Sequence, residues 1–121
     1  MNIIESQTLE IIRGDDVSMI INFTDEDGAV VDITQAIVFF TVKRKLSDTD
    51  DKAVIAVEQT SHITPLTGKT EIELTNQQTD IRPGTYFYDL QLKRTDEKIS
   101  SIVYGKFQVI QDVTERTEVS E

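Results

Sequence analysis

The sequence contains no cysteine and no tryptophan, and only one histidine and two prolines among its 121 residues. Without cysteine, a disulfide framework, a thiolate metal site and a cysteine nucleophile are all excluded. The chain is held by burial and backbone pairing alone, which is compatible with a reducing cytoplasm. One histidine and no cysteine make a zinc site a poor expectation. Glycine occurs only at 14, 28, 68, 84 and 105, each isolated, so no glycine-rich phosphate loop is present. No apolar run approaches the roughly 18 residues of a membrane helix. The opening Met1-Asn2-Ile3-Ile4-Glu5-Ser6 has neither a basic start nor a long apolar stretch, so no secretory signal peptide is expected. Positive charge is scarce too: 12 basic residues face 22 acidic ones, a formal net charge of -10. Such a surface repels nucleic-acid phosphates and anionic lipid. Solubility explains the acidity most simply, and a basic partner surface is the sharper alternative.

Hydrophobic residues make up 38% and charged residues 28%, a soluble globular composition. A chain of this length buries about 65% of its unfolded surface, enough for one core. Helical periodicity is weak, and alternation with period two recurs between short turn signals. Strands are expected at Thr8 to Ile12, Val17 to Thr24, Ile37 to Arg44, Ala53 to Val57, Thr70 to Leu74, Thr85 to Lys93 and Ile99 to Ile110. Residues 58–68, with Pro65 and Gly68, are expected to connect two of them. Val17, Met19, Ile21 and Phe23 share one face, as do Val38, Phe40 and Val42, then Ile72 and Leu74, then Tyr86, Tyr88, Leu90 and Leu92, then Val103, Phe107 and Val109. Gly105 is expected to mark a bulge. Met19, Phe23, Phe40, Tyr86, Leu90 and Phe107 are expected to share the interior. These segments predict an all-β fold, an immunoglobulin-like antiparallel sandwich of seven to eight strands with Greek-key connections over residues 1–111. A small barrel is the alternative. Residues 112–121 read as an acidic, flexible tail.

Gly84-Thr85-Tyr86-Phe87-Tyr88 opens the penultimate strand. A tyrosine at that place forms the tyrosine corner of immunoglobulin-like domains, so Tyr86 is expected to bond upstream backbone. Where an antibody domain has a core cysteine two residues later, this chain has Tyr88. A further set of segments runs in order from residue 8 to 110: Arg13-Gly14-Asp15, Phe23-Thr24-Asp25-Glu26-Asp27-Gly28, Val31-Asp32-Ile33-Thr34, Val38-Phe39-Phe40-Thr41-Val42, Pro83-Gly84-Thr85-Tyr86 and Phe107-Gln108-Val109. Together they resemble the N-terminal domain of phage baseplate upper proteins and related tail-associated modules. Those proteins continue into a long helical region, whereas this sequence stops at Glu121, so the resemblance implies a stand-alone version or a piece of a larger protein.

Candidate chemistry is sparse. His62 lies before Pro65 and reads as a solvent-facing loop residue; Ser61 beside it points away, so no Ser-His pair forms. Asp25-Glu26-Asp27 and Asp48-Thr49-Asp50-Asp51 are rich in oxygen ligands but lack EF-hand spacing, and turn formation accounts for both. Glu71 and Glu73 share a face of one strand, expected to be solvated rather than a glycosidase pair. Arg13-Gly14-Asp15 reads as a turn rather than an integrin ligand. Lys43-Arg44-Lys45 reads as a solvated strand end rather than a nucleic-acid patch.

No catalytic residue, metal or cofactor is expected. The resemblance implies a phage or prophage virion structural protein, a tail or baseplate assembly module acting through protein-protein contacts. Its partners would be other virion proteins or copies of itself in a homo-oligomeric assembly, with no nucleic acid and no membrane. It would reside in the virion, and in the host cytoplasm before assembly. Ile20, Phe39 and Phe87, which alternation places outside the core, are the expected contact residues. The alternatives are a non-catalytic carbohydrate- or calcium-binding β-sandwich module of a bacterial surface protein, and an enzyme accessory or inhibitor domain.

Overall fold

Alternating segments become strands where one face can be buried against a second layer. A computed structural model describes residues 5–6, 8–25, 27–96 and 98–114. The strands are β1 (Glu5–Ser6), β2 (Leu9–Ile12), β3 (Val17–Asn22), β4 (Ile37–Lys43), β5 (Ile55–Gln59), β6 (Lys69–Leu74), β7 (Gly84–Lys93) and β8 (Ile99–Ile110). The only helical pieces among the described residues are 3₁₀ turns at Asp50–Lys52 and Pro65–Thr67. A large sheet runs β1-β8-β7-β4-β5, and β2 follows β1 along the same edge of β8. The eight segments therefore occupy seven strand positions, since β1 and β2 share one. A small sheet, β3-β6, covers the large one. The chain crosses between sheets from β2 to β3, from β3 to β4, from β5 to β6 and from β6 to β7, the Greek-key pattern of an immunoglobulin-like sandwich.

Pairing is antiparallel except at the first edge, where Leu9 lies opposite Phe107 and Ile12 opposite Ile110 in parallel register. The inward faces are those the alternation picks out. Val38, Phe40 and Val42 of β4, Ile72 and Leu74 of β6, and Tyr86, Tyr88, Leu90 and Leu92 of β7 are buried, as are Phe23 and Ile33. Phe107 and Val109 close the core from β8. Of the six residues expected at its centre, five are buried, and Met19 is half-buried against the same cluster. Phe40, Tyr88 and Phe107 pack as an aromatic triangle with centroids 5.7, 6.1 and 6.5 Å apart. Each such pair adds about 0.5–1.5 kcal/mol to the burial of its rings.

Turn chemistry fixes the crossings. Asp25 Oδ1 accepts the backbone N–H groups of Asp27 and Ala29, both at 2.9 Å, and so shapes the turn before Val30. Asp32 Oδ1 accepts the Thr34 hydroxyl and N–H. Those two bonds hold the Asp32 carboxyl below its ordinary range, the hydroxyl contributing most. Gly68 ends the second 3₁₀ turn with φ 76°, and the Phe23 N–H donates to its carbonyl at 2.8 Å. A Cβ on Gly68 would stand 2.6 Å from the Val31 carbonyl oxygen and 2.7 Å from that of Phe23. Three chain segments meet there with no room for a side chain.

Three local expectations need correction. β5, the fourth of the expected strands, begins at Ile55 and runs to Gln59, two residues later than the apolar run Ala53 to Val57 suggests. Its position is set by pairing with β4, where Val42 faces Ile55 and Val38 faces Gln59. Gly105 is no bulge: it pairs with Tyr88 in unbroken register, and the register step lies between Leu90 and Gln91 of β7. His62 is half-buried rather than solvent-facing. Of the expected acidic tail, residues 115–121 lie outside the described residues.

Candidate functional site

The outward side chains of β4, β7 and β8 are brought side by side by register, and they are less polar than an exposed sheet face requires. Across the large sheet, Thr41 lies opposite Asp89 and Asp89 opposite Tyr104. One row along, Phe39 faces Gln91; one row the other way, Lys43 faces Phe87 and Phe87 faces Lys106. Side chains directly opposite on one face stand about 5 Å apart at Cβ, and diagonal ones about 7–8 Å. Asp89 therefore sits between Thr41 and Tyr104, with Phe87 and Gln91 on its own strand and Phe39 at a corner. The face forms a groove of about 630 Å³, with Leu46 and Ile99 at its margins. Tyr104 is 50% exposed, Ile99 58% and Leu46 76%, so the apolar content of this face is open to solvent.

The groove is lined by two carboxylates, Asp50 at 94% side-chain exposure and the half-buried Asp89, together with Lys43, Lys93 and Lys106. Burial pushes the Asp89 carboxyl above its ordinary range, opposed by the Lys43 ammonium and by the Gln91 amide, which donates to Asp89 Oδ2 at 3.2 Å; Asp50 adds a smaller upward push. Lys43 is already committed. Its Nζ lies 2.7 Å from Asp50 Oδ1 and donates to the Asp48 carbonyl at 3.0 Å. The basic run is thus not a uniformly solvated cluster: Lys43 is half-buried and paired, while Arg44 and Lys45 are exposed.

Of the three expected contact residues, the structure brings two together. Phe39 and Phe87 line the groove, each half-buried. Ile20 lies on the opposite outer face of the sandwich, on β3 opposite Glu71, and is 50% exposed. Tyr104 and Asp89 were not singled out from sequence. The outward phase of Tyr104 follows from the inward Val103, Phe107 and Val109, but its meeting with Asp89 depends on lateral register, which no local pattern reveals.

The remaining polar candidates serve the fold. His62 Nε2 lies 2.7 Å from the Ala36 carbonyl and Nδ1 2.8 Å from the hydroxyl of Thr70, which is itself fully buried. The carbonyl can only accept, so Nε2–H donates to it, and Nδ1 and the Thr70 hydroxyl share the second bond. The Tyr86 hydroxyl donates to the Arg82 carbonyl at 2.6 Å, a tyrosine corner. Arg13 Nε pairs with Asp80 at 2.9 Å, and Gly14 has φ 83°, so the Arg-Gly-Asp tripeptide is a structural turn. Glu71 accepts from Ser18 across the small sheet. Thr49 donates to Asp51 within the Asp48–Asp51 loop, and Glu26 lies outside the described residues. Among the described residues, no group of three or more His, Asp or Glu side chains is placed to hold a metal, and no helix is long and apolar enough to cross a membrane.

No protein-family model and no curated protein sequence matches the chain. Solved structures of similar shape include the soluble domain of PmoD from a Methylocystis species, at 13% identity and a TM-score of 0.49 over 83% of this chain and 76% of that one. They also include fibronectin(III)-like modules of Clostridium thermocellum CbhA, at 13% identity and a TM-score of 0.44 over 88% of this chain and 91% of that one.

Proposed function

We propose that this chain is a non-catalytic assembly module that acts through protein-protein contact, as a structural component of a phage or prophage tail or baseplate. The observation that carries the contact reading is the outer face of the large sheet. Phe39, Phe87 and Tyr104 stand together on it around a groove, where a solvated sheet face would carry polar residues. The polar groups that could otherwise suggest chemistry are engaged in the fold: His62 bridges Ala36 and Thr70, and Tyr86 closes its corner. The virion assignment is supported by the ordered segments from Arg13 to Val109 that resemble baseplate upper proteins. Its partners would be neighbouring virion proteins or further copies of the chain.

Sedimentation velocity across a concentration series, alone and with proteins co-produced from neighbouring genes, tests the reading. Phe39→Asp should abolish association while the circular dichroism spectrum stays that of the parent. Ile20→Lys, on the opposite face, should leave association intact. Association that survives Phe39→Asp in a folded protein would refute contact through this face, and neighbouring genes unrelated to tail assembly would count against the virion role.

A further inference from the structure

Resting on the contact reading, we infer that the groove receives a basic side chain, an arginine or lysine of a partner protein, seated over Tyr104 and Phe87 and paired with Asp89. Asp89 stands at the middle of the face, flanked directly by Thr41 and Tyr104 and along its strand by Phe87 and Gln91. The neutral Gln91 amide donates to its Oδ2 at 3.2 Å. The cation nearest in influence, Lys43, is held by Asp50 and the Asp48 carbonyl on the margin of the groove. A carboxylate with Tyr104 directly across from it and Phe87 beside it on its own strand offers a cation two attractions at once, the ion pair and the ring quadrupole. The chain as a whole, at net charge -10, draws a basic partner to it.

The other charges facing the groove are Asp50, Lys93 and Lys106. Lys93 lies opposite Ile37 and Ile99, two rows from Asp89, and Lys106 lies on β8 opposite Phe87, at a corner of the Asp89 site rather than across from it. These lysines raise the opposite possibility, an acidic partner, and the experiment separates the two.

The test is a titration of the ¹⁵N-labelled chain with three small probes: Nα-acetyl-arginine amide, the neutral Nα-acetyl-norleucine amide and Nα-acetyl-glutamate amide. The amide signals of Thr41, Phe87, Asp89, Gln91 and Tyr104 are followed. Saturable shifts at these positions with the arginine probe are expected, with at most weak, non-saturating shifts from the other two. In Asp89→Asn, whose spectrum should remain dispersed, the arginine probe should bind about fivefold more weakly or worse, as the loss of a partly desolvated cation site implies. Equal binding of the norleucine probe, tighter binding of the glutamate probe, or unchanged arginine affinity in Asp89→Asn would each overturn the inference. Loss of association in Phe39→Asp would still stand in any of these cases, so a wrong occupant is distinguishable from a wrong face.

Discussion

Replacing Gly68 by alanine should be among the most damaging single-methyl changes in this chain, and replacing Gly28 by alanine should not. Both glycines have a left-handed backbone, with φ 76° at Gly68 and 82° at Gly28. An L-residue in that region costs about 1–2 kcal/mol, so this penalty is common to both sites. Their surroundings differ. A Cβ at Gly28 meets nothing within 4 Å, whereas at Gly68 it would lie 2.6 Å from the Val31 carbonyl oxygen and 2.7 Å from that of Phe23. The Phe23 oxygen is not free to retreat. The Phe23 carbonyl accepts the Val31 N–H at 3.0 Å, and the Phe23 N–H donates to Gly68 itself at 2.8 Å. Opening the gap to ordinary contact breaks or stretches these bonds, at about 1 kcal/mol each, and draws the buried Phe23 from its place. The total for Gly68→Ala is about 3–4 kcal/mol, against about 1 kcal/mol for Gly28→Ala.

Urea unfolding followed by far-ultraviolet circular dichroism measures the difference. With a slope of about 1.5 kcal/mol per molar urea, Gly68→Ala lowers the midpoint by about 2–2.7 M and Gly28→Ala by about 0.7 M. Asparagine sharpens the comparison, because it tolerates the left-handed region yet still carries a Cβ. Gly28→Asn should be nearly neutral and Gly68→Asn as damaging as alanine. Equal losses at the two positions, or rescue of Gly68 by asparagine, would show that backbone angle rather than the crossing of three segments governs the site.

Two further changes probe polar groups. His62→Ala leaves the fully buried Thr70 hydroxyl and the Ala36 carbonyl without their ring partner, and should cost about 1–3 kcal/mol by urea midpoint. Adding Thr70→Val should return part of that loss, and full additivity of the two changes would contradict the bridge. Asp89→Asn should raise the melting temperature at neutral pH. The folded-state carboxyl binds its proton more readily than the unfolded one, so the folded state gains relative stability as pH falls through the folded value towards the ordinary carboxylate range. Asparagine imitates the protonated form, so the advantage should vanish once the pH is below that range; an advantage that persists there would contradict burial as its cause.

The inner half of this fold was legible because each strand announces its own phase. Tyr86, Tyr88, Leu90 and Leu92 recur at every second position, between Phe87, Asp89 and Gln91, and the structure buries all four. The Tyr86 corner follows from the same local rule, with Gly84 and Thr85 setting the strand start. What depends on pairing was not legible. The parallel seating of Leu9–Ile12 against the last strand joins residues about a hundred positions apart and leaves no local mark. The edge strand slid to Ile55–Gln59 because β4, its sole partner in the sheet, sets its register, and Glu58 and Gln59 give no apolar signal. His62 does lie in a connection, but its half-buried setting could not be read locally because its partners, Ala36 and Thr70, lie 26 and 8 positions away. Asp89 and Tyr104 were invisible as a pair for the same reason.

The outer face of β7 repays closer physical reading than its inner face. Core packing dictates Tyr86, Tyr88, Leu90 and Leu92, but nothing in the core requires Phe87 two rows from Phe39, or a carboxylate between them. Left in water, a phenylalanine on this face gains little that threonine would not supply, and strand propensity alone favours both. A carboxylate among rings is worse than neutral, since burial disfavours its charged form. Folding thus carries a small cost at Asp89 that stability cannot explain. Costs of this kind accumulate where a sequence serves something besides its own fold. A bound cation would reverse the sign of the cost, because it restores to the carboxylate the favourable electrostatics that the surrounding rings remove. The same substitution, Asp89→Asn, should therefore strengthen the isolated chain and weaken its capture of a basic side chain, and a merely structural carboxylate would show no such opposition.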